Sequence, residues 1–155
     1  PRARWTGTEA QRLTLKFLGE VDPNDLIDLA ARLRPALALL PAARVHFQGG
    51  GFFPSEKRPR VAWIGGAHSG VLPVVESIEA SASSQVFLPE TRPWFLHLTQ
   101  ARLNRPWPSW AAERFLNWAE GLRLKSVAFT EVVLFSSDLR PTGAVYTALE
   151  RFSLA

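Results

Sequence analysis

At 155 residues, with 46% hydrophobic and 11% aromatic side chains, the chain can bury the core of one domain and does not read as a disordered tail. The absence of Cys removes disulfides, thiolate nucleophiles and cysteine-bound zinc, and three His are too few for a protein-built transition-metal site. Eighteen basic against fourteen acidic residues leave a net charge of +4, which suits a phosphate-bearing partner. No apolar run reaches membrane-spanning length and no signal peptide is visible, so the cytoplasm is the expected location.

Residues 1–11 are polar and turn-prone and read as a loop. Arg12–Leu18 (RLTLKFL) alternates and reads as a first strand that stops at Gly19. Asp22 followed by Pro23 is a helix start, and Leu26, Leu29, Leu33, Leu37 and Leu40 then give one apolar face. Pro35 is expected to kink or end that helix near Leu33. Ala43–Phe47 reads as a strand. The following Gly49-Gly50-Gly51 lacks the Gly-Lys-Ser/Thr of a phosphate loop, so it reads as a bulge or bend in a longer strand.

Ser55–Pro59 reads as a charged hairpin tip. Arg60–Gly65 reads as a strand with Val61 and Trp63 on one face and Ala62 and Ile64 on the other. Val71–Ala82 has helical spacing, with Ser81–Ser84 expected to fray. Trp94–Leu103 reads as a strand. Ser109 is placed as the cap of a helix carrying Trp110, Phe115 and Trp118. Ser126–Phe135 reads as β, Ser136–Thr142 as a loop, and Ala144–Leu154 as the last strand. Helices mix with hairpins and parallel crossovers are not dominant, which is an α+β order.

Chemistry concentrates in TRPWFLHLTQAR, residues 91–102. His97 and Thr99 are two apart, so on an extended chain both point to one face while Leu96 and Leu98 take the other. An imidazole can move a proton near neutral pH, a hydroxyl can hold a phosphate oxygen, and Arg102 can add a guanidinium. Arg12 and Thr14 repeat the grammar half a chain earlier. His46 in a strand and His68 in a turn read as structural or solvated. No Gly-x-Ser-x-Gly supports a serine triad.

These stretches resemble a known family. RLTLKFLGEV is similar to the HLTLKFLGEV motif of the 2H phosphoesterases, in particular the RNA 2′,3′-cyclic phosphodiesterases, also called 2′–5′ RNA ligases. TRPWFLHLTQAR resembles the family's second His-x-Thr motif with its trailing Arg. FFPSEKRPRVAWIG resembles the strand between the motifs. VVLFSSDLRPTGAVYTALERFSL resembles the C-terminal strands, with Ser137, Leu139, Gly143 and Tyr146 at the expected places.

The resemblance implies one bilobal domain over residues 1–155, made of two pseudo-symmetric antiparallel sheets with outer helices and a central cleft. It implies hydrolysis of RNA 2′,3′-cyclic phosphate ends to 2′-phosphate, with reverse 2′–5′ ligation as a second direction, and no cofactor or metal. The expected partner is such an RNA end or a nucleotide, met by a monomer away from any membrane. His97 would act as general acid or base, Thr14 and Thr99 would hold phosphate oxygens, and Arg12 and Arg102 would supply positive charge. Phe17 is a candidate for base stacking, with a core role as its alternative. Arg60 reads as a surface or structural residue.

The family also has a first strand and helix ahead of these motifs. The sequence opens Pro-Arg-Ala-Arg-Trp and has no Met, so a preceding segment is expected.

One departure bears on mechanism. Arg12 stands where the family has His, and an arginine keeps its proton near neutral pH. Losing one acid–base partner costs about a hundredfold to ten-thousandfold in rate. The alternative reading is therefore a non-catalytic binder of RNA ends or nucleotides. A plain interaction module, with every Trp in the core, is the third; the paired motifs argue against it.

Overall fold

Asp22 caps the first helix as its sequence requires: its carboxylate accepts from the Asn24 backbone N–H at 2.8 Å, and Pro23 follows at the first helical position. This helix, α1 (Pro23–Ala38), belongs to a computed structural model that describes residues 2–83 and 86–155. It buries Leu29, Leu33 and Leu37 on one face. It does not end near Leu33. Pro35 lies inside it and is exposed, so the carbonyl it leaves unpaired can be hydrated, and buried Leu37 holds the last turn in place.

The other elements are β1 (Arg4–Trp5), β2 (Ala43–Phe53), β3 (Val61–Ala67), α2 (Leu72–Ala82), β4 (Leu98–Arg102), α3 (Ser109–Glu120), β5 (Val127–Phe129), β6 (Glu131–Arg140) and β7 (Gly143–Ser153). The fold is α+β with two sheets, one of five strands in the order β1-β4-β3-β2-β5 and one made of β6 and β7. Neighbours β1 and β4, β4 and β3, β3 and β2, and β6 and β7 all run antiparallel.

The described residues fall into two compact units. One holds the chain before Lys16, Val45–Ser69 and Pro93–Val127. Its sheet buries Ala62, Ile64, Leu98 and Ala101 on one face, with Phe52 packed on Phe115 of α3 at 5.3 Å between rings. The other holds Lys16–Arg44, Gly70–Arg92 and Ala128–Ala155. There α1 packs on α2 and on β7. Arg34 of α1 spans the joint, with its guanidinium 4.9 Å from the Phe152 ring centre and 2.8 Å from the Glu150 carboxylate.

Several sequence expectations need correction. Residues 11–18 form no strand. An alternating pattern makes an extended chain, but a strand exists only through its ladder, and here side chains do the holding. The Trp94 indole donates to the Thr14 carbonyl at 3.0 Å. Separately, Lys16 pairs with Glu79 at 2.6 Å and donates to the Leu88 carbonyl at 3.1 Å. The supposed N-terminal loop instead contains β1 and a short 3₁₀ turn, Thr8–Ala10.

The strand expected over Ala43–Phe47 runs on through the three glycines to Phe53, with a register shift between Phe47 and Gly50. Gly49 takes φ +84° at that shift, a conformation open to glycine, so the bulge reading holds. The strand expected over Trp94–Leu103 begins only at Leu98. Pro108, not Ser109, is the capping residue of α3. The single β stretch at Ser126–Phe135 is two strands, and the loop at Ser136–Thr142 is mostly β6, which pairs with β7 as far as Arg140. Ser81 and Ala82 remain helical, while Ser84, the end of the expected frayed segment, lies outside the described residues.

Candidate active site

The two faces of the first unit's sheet can be told apart from register and burial. Across β3 and β4, Ile64 opposes Leu98 and Ala62 opposes Ala101, and all four are buried against the α3 side. Trp63 opposes Thr99 and Val61 opposes Arg102, which puts these four on the other, open face. Between Thr99 and Ala101 the register slips by one residue at Gln100. Strict alternation from Thr99 would have turned Ala101 outward and Arg102 into the core. The bulge restores Arg102 to the face of Thr99.

His97 stands one place before β4, with Leu96 and Leu98 buried on either side of it in sequence. Its ring is clasped by Phe95 at 5.2 Å and Phe53 at 5.3 Å. Trp63 contacts both phenylalanines, completing an aromatic wall on the open face. The wall has room because Gly51 lies opposite Trp63, and a Cβ there would stand 2.5 Å from the indole. His97 Nδ1 and Trp63 Nε1 are both buried and have no hydrogen-bond partner among the described residues. Native proteins seldom leave such groups unmatched.

Because His97 Nδ1 is buried, Nε2 is the nitrogen left to meet a substrate.

Arg12 and Thr14 lie in the same compact unit as His97, Thr99 and Arg102. The bond from the Trp94 indole to the Thr14 carbonyl fixes the first motif to a residue three places before His97. Trp94 also packs its ring on His68, whose Nδ1 lies 3.2 Å from the Gly66 carbonyl. Phe17 is not a core residue: its side chain is 87% exposed and it falls in the other unit. Arg60 is exposed and serves through its backbone, which bonds Phe53 and Leu103.

Sequence reading missed Phe53, Phe95 and Trp63 as walls of the histidine. Its placement of Val61 and Trp63 on one face was the available hint for Trp63. Among the described residues no group of three His, Asp or Glu could hold a metal. No helix among them is long and apolar enough to cross a membrane.

An imidazole, a hydroxyl and a guanidinium on one open sheet face make up the equipment of a phosphoryl-transfer site. Known proteins agree with that class. The family model described as LigT-like phosphoesterase matches residues 2–63. An RNA 2′,3′-cyclic phosphodiesterase of Thermus thermophilus is 36% identical over 151 residues, covering 92% of this chain and 71% of that protein. One from Aeropyrum pernix is 30% identical over 139 residues, covering 88% and 78% respectively. A crystal structure of a Thermus thermophilus protein superposes with a TM-score of 0.73 at 29% identity, over 98% of this chain and 82% of that one. The Escherichia coli LigT structure with 3′-AMP shares the fold, with a TM-score of 0.70 at 22% identity over 98% and 81%. The chain belongs to the LigT-like phosphoesterase family, as its two motifs led one to expect.

Proposed function

We propose that this protein hydrolyses the 2′,3′-cyclic phosphate end of RNA to a 2′-phosphate. The observation that carries the reading is His97 beside Thr99 on the open face, with Nδ1 buried and unpartnered so that Nε2 is presented. Family membership and relatives named RNA 2′,3′-cyclic phosphodiesterases support the substrate class.

In this mechanism water attacks phosphorus, the bond from phosphorus to the 3′ oxygen breaks, and His97 in its imidazolium form passes the Nε2 proton to that oxygen and is left as the neutral ring. Thr99 and Thr14 hold non-bridging oxygens, and Arg102 and Arg12 balance the charge that builds on them. Arg12 keeps its proton, so the proton of the attacking water passes to solvent rather than to a second imidazole. That difference predicts slow turnover, lower by about a hundredfold to ten-thousandfold than with a paired base. 2′–5′ ligation would use the same groups, with the 5′-hydroxyl of a second RNA attacking phosphorus in place of water while the same bond to the 3′ oxygen breaks. Phe17 is exposed enough to stack a base, but no described contact brings it to His97, and we leave it outside the assignment.

A second reading, a binder of RNA ends without turnover, is favoured by Arg12 alone. The test is release of 2′-phosphate from a short RNA with a 2′,3′-cyclic end, using the natural chain, Arg12→His and His97→Ala. Turnover by the natural chain that vanishes in His97→Ala supports the enzyme. Turnover by Arg12→His alone makes the natural chain a binder. Inactivity of all three would sink the phosphodiesterase reading.

A further inference from the structure

Arg4 of β1 and Arg102 of β4 are direct cross-strand partners, so both side chains leave the sheet on the same face. Like charges placed directly opposite destabilise a sheet. Neither arginine has an ion pair or a side-chain hydrogen bond among the described residues, and both are exposed. The arrangement is specifically built. The slip at Gln100 turns Arg102 toward the face of Thr99, and the Thr6 N–H donates to the Gln100 carbonyl at 2.8 Å, holding the end of β1 across the bulge. Two unneutralised guanidiniums therefore continue the line that starts at His97 and Thr99.

We propose that Arg4 and Arg102 together grip the internucleotide phosphate one step 5′ of the cyclic end, so that the protein selects an oligonucleotide over a mononucleotide. This rests on the phosphodiesterase reading for the position of the cyclic end. From Thr99 to Arg102 the ladder advances two steps, about 7 Å at the usual strand rise, which is close to one nucleotide of backbone. One phosphate between two guanidiniums removes their repulsion and can accept from both forks. A 2′,3′-cyclic mononucleotide has no such group to offer.

The test compares kcat/KM for a dinucleotide 2′,3′-cyclic phosphate with that for the cyclic mononucleotide of the same terminal base. Wild type, Arg4→Gln, Arg4→Lys and the exposed hairpin control Arg58→Gln are measured across a salt series. Wild type should prefer the dinucleotide at least tenfold. Arg4→Gln should lose most of that preference, Arg4→Lys should keep part of it, and Arg58→Gln should keep all of it.

The slope of log affinity for the dinucleotide against log salt should fall by about 0.7 in Arg4→Gln, the loss of one phosphate contact on a single strand. A ratio and slope unchanged in Arg4→Gln would overturn the proposal, as would an equal loss on both substrates. If wild type turns over neither substrate, the natural chain is at most a binder, and the phosphodiesterase reading fails outright when Arg12→His is inactive too. The salt slope is then read from anisotropy of a labelled dinucleotide ending in 2′-phosphate, and it still decides whether Arg4 holds the inner phosphate.

Discussion

Gly51 and Trp63 stand directly opposite each other across β2 and β3, and the indole occupies the space where a Cβ of residue 51 would be. Trp63 is the base of the wall that holds Phe95 and Phe53 against His97. The smallest side chain at position 51 therefore reaches the His97 imidazole through one ring. Gly51→Ala should destabilise the protein by about 1–3 kcal/mol, the usual cost of overpacking. It should also lower 2′-phosphate release beyond what the remaining folded fraction explains. Denaturant midpoints and activity measured on the same samples check both. Full activity with an unchanged midpoint would show that the wall does not position His97.

His97 itself separates chemistry from stability. Its Nδ1 satisfies no partner, so the ring contributes no hydrogen bond that the fold needs. His97→Gln should unfold within about 1 kcal/mol of wild type, because it breaks no described hydrogen bond. Turnover should fall by about a hundredfold to ten-thousandfold, since an amide cannot supply the proton. A large fall in thermal midpoint together with the loss of activity would make His97 a structural residue.

The pairing of His97 with Thr99 could be read from a two-residue period because it is local. So could α1, where Asp22, Pro23 and the leucine spacing all agree. What could not be read depends on distant partners. The extended run at 11–18 has a strand's alternation but finds side-chain anchors instead of a ladder. Arg102 reaches the face of Thr99 only because the register slips at Gln100, and nothing in the local pattern of LTQAR announces that slip. Arg4 meets Arg102 only through strand register, a relation between residues almost a hundred places apart.

Pro35 gives a stability prediction with a clear sign. It sits in the interior of α1, where it removes one backbone donor and crowds the preceding turn, yet the helix runs on to Ala38. Pro35→Ala should restore the missing bond at an exposed position and stabilise the protein by about 1–2 kcal/mol, less than the full helix penalty of proline because the native helix has already adapted. Activity should not change. A lower denaturant midpoint in Pro35→Ala would mean that the proline ring makes a packing contribution larger than its helix cost.

Lys16 sits in the first motif, where a cation could be taken for a phosphate ligand, but its geometry assigns it another task. Its side chain is only 7% exposed and its ammonium is held by Glu79 at 2.6 Å and by the Leu88 carbonyl. Glu79 in turn accepts from the Glu90 backbone N–H at 3.3 Å, so one pair ties the run after Thr14, α2 and the segment at 88–90 together within their unit. Lys16→Met removes the ammonium but keeps most of the apolar stem, leaving the Glu79 carboxylate without its cation. Because Glu79 remains partly solvated, the expected loss is about 2 kcal/mol, below the 3–5 kcal/mol typical of a fully buried pair. Adding Glu79→Gln should recover most of it, since the charge left behind, rather than the missing bond, is the main cost. The salt dependence of RNA binding should stay the same in Lys16→Met, because this cation is already neutralised inside the protein. Equilibrium unfolding of the two single variants and the double variant gives the coupling energy, and a reduced salt slope in Lys16→Met would return Lys16 to the RNA-binding surface.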